Sequence, residues 1–121
     1  MHNYKELKIW NEGMLLAKMV YKVAGLFPGN EQYGLTSQIK RSVISIPSNI
    51  AEGAGRGSDK EFAHFLSIAL GSAFELETQI ILANAFNFLS QEQFEEISPQ
   101  LIKVQKMING FRISINNKSN V

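Results

Sequence analysis

From Phe62 to Ala83 an apolar residue recurs at steps of four and three: Phe62, Leu66, Ala69, Ala73, Leu76, Ile80 and Ala83. That spacing is a helical heptad seam and excludes a strand, whose faces alternate every second residue. Phe65, Ile68, Leu70, Phe74 and Ile81 lie outside the seam and make the helix apolar nearly all round. Such a helix is either the most buried of its fold or also faces a neighbouring subunit. Ser58-Asp59-Lys60-Glu61 before it has capping-box spacing, which predicts a start at Ser58 and a span of about 58–88.

Three further helices follow from the same periodicity. The first is predicted over 4–27, with Leu7, Trp10, Met14, Ala17, Tyr21 and Ala24 as its seam and Pro28-Gly29-Asn30 as its stop. The second covers about 31–54, with Pro47 inside it and a kink expected near Val43. The fourth runs over about 90–116, capped by Ser90 and Gln93, with Phe94, Ile97, Leu101, Val104, Ile108, Phe111 and Ile115 as its seam. Pro99 leaves two starts open, one at Ser90 with a kink, the other near Ser98 with proline in the first turn. Residues 117–121 read as a polar tail. Short links favour antiparallel neighbours, so the fold class is all-α, an up-down-up-down four-helix bundle in one domain of 121 residues.

The second helix carries two stripes. Leu35, Ile39, Val43, Ile46 and Ile50 form a packing face, while Gln38, Arg41, Ser45, Asn49 and Glu52 form a polar seam beside it. Buried polar groups need partners. A turn centred near Arg56 sets Arg41 opposite Gly71, with Ser72 and Glu75 within one turn, and sets Ser45 opposite Ser67. An Arg41–Glu75 pair is one expectation, with Gly71 allowing close approach; two solvated charges are the other. Glu77 stands on an apolar face and has Lys103 as a partner at a compatible level.

With 19% charged residues, the chain is sparsely charged for a free-standing helical monomer, which suggests surface covered by further copies. The net charge of +1 gives no general case for nucleic acid. Residues 1–60 carry eight basic against five acidic groups, and the remainder four against six. Without cysteine there is no disulfide, thiolate-bound metal or thiol chemistry. No secretory signal is legible and no stretch reads as a membrane span, so a cytoplasmic protein with no membrane partner is expected.

Other constellations are weak. Glu61-x-x-His64 has the spacing of a bundle di-metal ligand pair, but the only other histidine is His2, so neither a metal nor another cofactor is expected. Gly53-Ala54-Gly55-Arg56-Gly57 follows a helix rather than a strand and lacks the Lys-Ser/Thr of a phosphate loop. Arg56, Lys60 and the first amides of the third helix could still hold a backbone phosphate, opposed by Asp59; a turn that merely needs glycine is the plainer reading. Glu75 and Glu77 point to different faces and make a poor acid/base pair.

The chain resembles the bacterial four-helix-bundle proteins encoded in intervening sequences of 23S rRNA genes. The resemblance rests on Leu7, Trp10 and Ala17, Phe27-Pro28, Tyr33-Gly34-Leu35, Gln38-Ile39-Lys40-Arg41 and the run from Ser45 to Gly53. It continues through Arg56, Lys60-Glu61-Phe62 and Gly71 to Thr78. It implies a homopentamer without enzymatic activity. It also implies kinship with the accessory protein of diversity-generating retroelements, which works with a reverse transcriptase and RNA. The expected function is a non-enzymatic oligomeric scaffold for RNA or an RNA-bound protein, with Lys40, Arg41, Arg56 and Lys60 facing phosphate. The alternative is a protein-protein adaptor without direct nucleic-acid contact. The structural polar seam comprises Gln38, Arg41, Ser45, Asn49 and Glu52 with Ser72 and Glu75.

Overall fold

A computed structural model describes residues 2–119. Four helices make up the fold: α1 (Lys8–Ala24), α2 (Leu35–Ala54), α3 (Asp59–Ala85) and α4 (Gln91–Ser119). Each packs on its neighbours in the chain, and α1 closes the ring against α4. The expected antiparallel bundle is formed.

The helix ends follow local chemistry. Ser58 Oγ accepts from the Glu61 amide at 3.1 Å and starts α3. At α4 the box is reciprocal: Ser90 Oγ accepts from the Gln93 amide at 3.1 Å, and Gln93 Oε1 accepts from the Ser90 amide at 2.9 Å. The helix therefore begins before Pro99 and runs through it, which removes the alternative start near Ser98. It also runs on to Ser119, so residues 117–119 of the expected tail are helical; Asn120 and Val121 lie outside the described residues.

Four further ends differ from expectation. One is the stop of α1, which comes at Ala24 rather than residue 27. A 3-10 turn, Tyr4–Glu6, precedes α1, and extended Leu7 separates the two. Asn11 Nδ2 donates to the Lys5 and Leu7 carbonyls at 3.0 Å each, which secures that break. Instead of starting near Glu31, α2 starts at Leu35, whose amide donates to Glu31 Oε2 at 3.2 Å; a carboxylate suits a helix N-terminus. Finally, α3 ends at Ala85 rather than residue 88. Asn87 takes φ 64°, the Asn87 amide donates to the Asn84 carbonyl (3.1 Å) and the Phe88 amide to the Ala83 carbonyl (2.9 Å). These two bonds are a Schellman stop with Asn in the left-handed position.

The expected α3 seam is buried in full; of the α4 seam Ile97, Leu101, Val104, Ile108 and Ile115 are buried, while Phe94 and Phe111 are half-buried against the core. By length and composition α3 could cross a membrane, contrary to the expectation that no stretch would; its seam is occupied by the core of the bundle. The α1 seam is a correction. Ile9, Gly13, Leu16, Val20 and Ala24 point inward, whereas Leu7, Trp10, Met14 and Ala17 are half-buried and Tyr21 is exposed. Gly13 is buried against α2, where a Cβ would stand in ordinary contact with Ile46 (3.5 Å) and Pro47 (3.6 Å), so the inward stripe passes the proline-bearing stretch of α2 with a small residue.

Candidate nucleic-acid interface

Between α2 and α3 runs an ordered polar seam. Ser42 Oγ donates to Glu75 Oε1 at 2.6 Å. One turn on, the Ser45 and Ser72 hydroxyls are 2.8 Å apart. Asn49 Nδ2 donates to the Ser45 carbonyl (2.8 Å) and hydroxyl (2.9 Å). Ser45, Asn49, Ser72 and Glu75 thus meet, with Ser42 added.

The expected Arg41–Glu75 pair does not form. Arg41 is exposed and Ser42 takes the carboxylate. The helix face is the cause. Ser45 meets Ser72 instead of Ser67, a register that sets Glu75 level with both Arg41 and Ser42, but these two lie about 100° apart round α2, and Ser42 faces α3 while Arg41 points to solvent. Nor does Gly71 mediate close approach, since a Cβ there would meet nothing within 4 Å. That role falls to Gly53, where a Cβ would stand 2.7 Å from Phe65 Cβ and 2.9 Å from the Phe62 ring. Gln38 and Glu52 are exposed at the ends of the seam.

Glu75 and Glu77 face different helices, as expected. Glu77 accepts from Gln105 Nε2 at 3.2 Å, not from Lys103. Lys103 instead pairs with Glu12 at 3.0 Å, beside Gln100 Nε2 at 2.7 Å from the same carboxyl group. Those two donors, with Lys8 adding long-range attraction, hold Glu12 below the usual glutamate range against a smaller opposing effect of burial.

The four basic candidates do not form one patch. Lys40 leans over the Tyr21 ring on the α1 side, with Nζ 5.2 Å from the centroid. Arg56 lies about 20 Å further along the bundle than Arg41 at helical rise. Its Nη2 pairs with Glu52 at 2.6 Å and its guanidinium stands 4.7 Å from the Phe65 centroid. Arg56 and Lys60 share a shallow hollow with Ser58, Glu61 and His64, so carboxylate is mixed with the cations. His64 meets Phe65 edge-on at 5.5 Å. Among the described residues no three His, Asp or Glu side chains converge as metal ligands.

Two surfaces were not singled out in sequence. Trp10, Met14 and Ala17 of α1 line an apolar groove with Ile44, Pro47 and Ala51 of α2. Assigning Trp10 and Met14 to the core concealed it, although Ile9, Gly13, Leu16 and Val20 form an equally periodic stripe. On the opposite side Phe74 and Leu70 of α3 share a groove with Lys106 and Arg112 of α4.

The family model for the 23S rRNA-intervening sequence protein matches residues 5–110. The chain belongs to that family. A solved structure of a protein with unknown function from the S23 ribosomal protein family of Bacteroides thetaiotaomicron superposes with a TM-score of 0.77 at 26% identity. The match covers 86% of this chain and 97% of that one. No curated protein matches detectably. The matched residues extend from the 3-10 turn into α4 and include the polar seam, whereas Arg112 of the α3/α4 groove lies beyond them.

Proposed function

We propose that this family member is a non-enzymatic oligomeric scaffold that contacts RNA or an RNA-bound protein, such as a reverse-transcriptase-like one. The observation that carries the reading is the apolar stripe left open by the folded protomer. Half-buried Trp10 and Met14 of α1 adjoin Ile44 of α2, itself 46% exposed, in one groove of about 400 Å³. A contiguous apolar surface of this kind is normally covered. A ring of copies covers it, and the pentamer implied by resemblance is such a ring.

Assembly also compensates for the scattered cations. One protomer offers Arg56 and Lys60 among carboxylates, a poor phosphate site, whereas several protomers present that pair repeatedly to one polyanion. The dispersal of Lys40 and Arg41 away from Arg56 favours the second reading, an adaptor whose partner is a protein.

Sedimentation of wild type and Ile44→Glu, joined to RNA anisotropy at about 50 and 200 mM salt, tests this. The expected result is an assembly that Ile44→Glu dissociates, with salt-sensitive RNA binding that falls when Arg56 and Lys60 become alanine. A wild-type monomer at micromolar concentration would overturn the scaffold. An intact assembly without RNA binding would leave the adaptor. Trp10 is the single tryptophan, so a red shift of its emission on dilution reports dissociation directly.

A further inference from the structure

We infer that the α3/α4 groove is a nucleotide-binding surface for single-stranded RNA, with a base stacked on Phe74 and its phosphate held by Arg112 and Lys106. This rests on the RNA reading above and names a surface distinct from Arg56 and Lys60.

Phe74 is 51% exposed, although half-exposed phenylalanine gains little from water. It shares a groove of about 390 Å³ with Leu70, Gln105, Lys106, Asn109 and Arg112. Asn109 Oδ1 accepts from Arg112 Nη2 at 2.7 Å, which orients the guanidinium. Arg112 Nε is buried and has no hydrogen-bond partner among the described residues. Neither Arg112 nor Lys106 has an ion pair among the described residues, unlike Arg56 with Glu52 and Lys103 with Glu12.

An aromatic face beside two unpaired cations is the combination that single-stranded nucleic acid uses: stacking tolerates any base, and the cations follow the backbone. Charge also gives the groove a direction. Glu77, engaged by Gln105 at 3.2 Å, lies one turn beyond Phe74 on α3 and repels phosphate at that end. The phosphate is thereby directed to Arg112 and Lys106.

The test is fluorescence anisotropy of a fluorescein-labelled oligouridylate of about ten nucleotides, within the span one such surface covers. Wild type is compared with Phe74→Leu, Phe74→Tyr, the double variant Arg112→Gln/Lys106→Gln, and Arg56→Ala/Lys60→Ala, each checked by circular dichroism and sedimentation. Phe74→Leu should weaken binding about tenfold at unchanged salt slope, and Phe74→Tyr should restore it. The double variant should flatten the salt slope by about 0.7 for each phosphate that is no longer neutralised. Loss of binding only in Arg56→Ala/Lys60→Ala would overturn the groove and spare the RNA reading. No binding by wild type would overturn both. A fall in assembled mass with Phe74→Leu would overturn the inference and assign the groove to a second copy.

Discussion

Ser42 closes the α2/α3 seam by donating a 2.6 Å hydrogen bond to Glu75 Oε1, and the neighbouring Arg41 is left in solvent. The serine is buried and the glutamate is exposed, so the bond joins a fixed donor to a solvated acceptor. Ser42→Ala should cost about 1 kcal/mol in urea unfolding. The same change in a Glu75→Gln background should cost less, because the charged acceptor is already gone. Arg41→Met should add independently to Glu75→Leu. A coupling of similar size between Arg41 and Glu75 would contradict the observed seam.

Two glycines of similar appearance should respond oppositely to alanine. Gly71 is exposed in the interior of α3 with nothing near its missing Cβ, so Gly71→Ala should stabilise by about 0.5–1 kcal/mol through helix propensity. Gly53 has the same propensity to gain, but its Cβ would meet Phe65 Cβ at 2.7 Å and the Phe62 carbonyl at 3.3 Å, neither a flexible chain end. Overpacking of this kind costs about 1–3 kcal/mol, so the net change should be a loss. Thermal midpoints of the two variants decide it, and a Gly53→Ala protein as stable as wild type would show that the two helices can separate there without penalty.

Asn87 is the described non-glycine residue with positive φ, and it sits at the stop of α3. Glycine should therefore stabilise this position, and alanine should destabilise it by about 1 kcal/mol. Both effects arise in the backbone rather than in the packing of the side chain. Equal stability of Asn87→Gly and Asn87→Ala in denaturant titrations would refute the left-handed stop.

Glu12 gives the bundle a pH dependence across the α1/α4 interface. Its folded-state pKa is depressed, chiefly by Gln100 and then by Lys103. Stability from this group is therefore fully present above the ordinary glutamate range. It is lost as pH falls through the lower folded-state value. Urea midpoints measured from pH 7 to pH 3 should decline less in Glu12→Gln than in wild type. Parallel curves would mean that the carboxylate contributes nothing specific. Lys103→Met should reduce the same difference only in part, since Gln100 remains.

Most of the architecture was legible because it is local. The α3 seam from Phe62 to Ala83, the Ser58 and Ser90 caps and the aliphatic members of the α4 seam, Ile97 to Ile115, form as their spacing requires, with Phe94 and Phe111 half-buried. Capping and periodicity act within a few residues, and no partner helix is needed to read them. Pro99 was ambiguous because one proline serves equally as a first-turn residue or an exposed passenger in a longer helix. Of the expected polar seam, Ser45, Asn49, Ser72 and Glu75 come together. Arg41 does not, since it lies on the outer edge of its stripe and Ser42, the next residue round the helix, faces Glu75; spacing alone does not say which edge of a stripe meets the neighbouring helix.

The sequence by itself therefore determined four helices with periodic apolar seams and the caps of α3 and α4, since hydrogen-bond geometry and spacing decide these within each segment, and short links made the bundle antiparallel. Only tertiary structure decided which stripe of α1 turned inward. Periodicity says that Trp10, Met14 and Ala17 must meet something apolar; it does not say whether that is the core or another surface. Ile9, Leu16 and Val20 fill the core beside Gly13, and Trp10 is left half-buried at its margin. Likewise, Arg112 and Lys106 became neighbours of Phe74 only through the packing of α3 on α4, a relation between residues more than thirty positions apart that no local rule encodes.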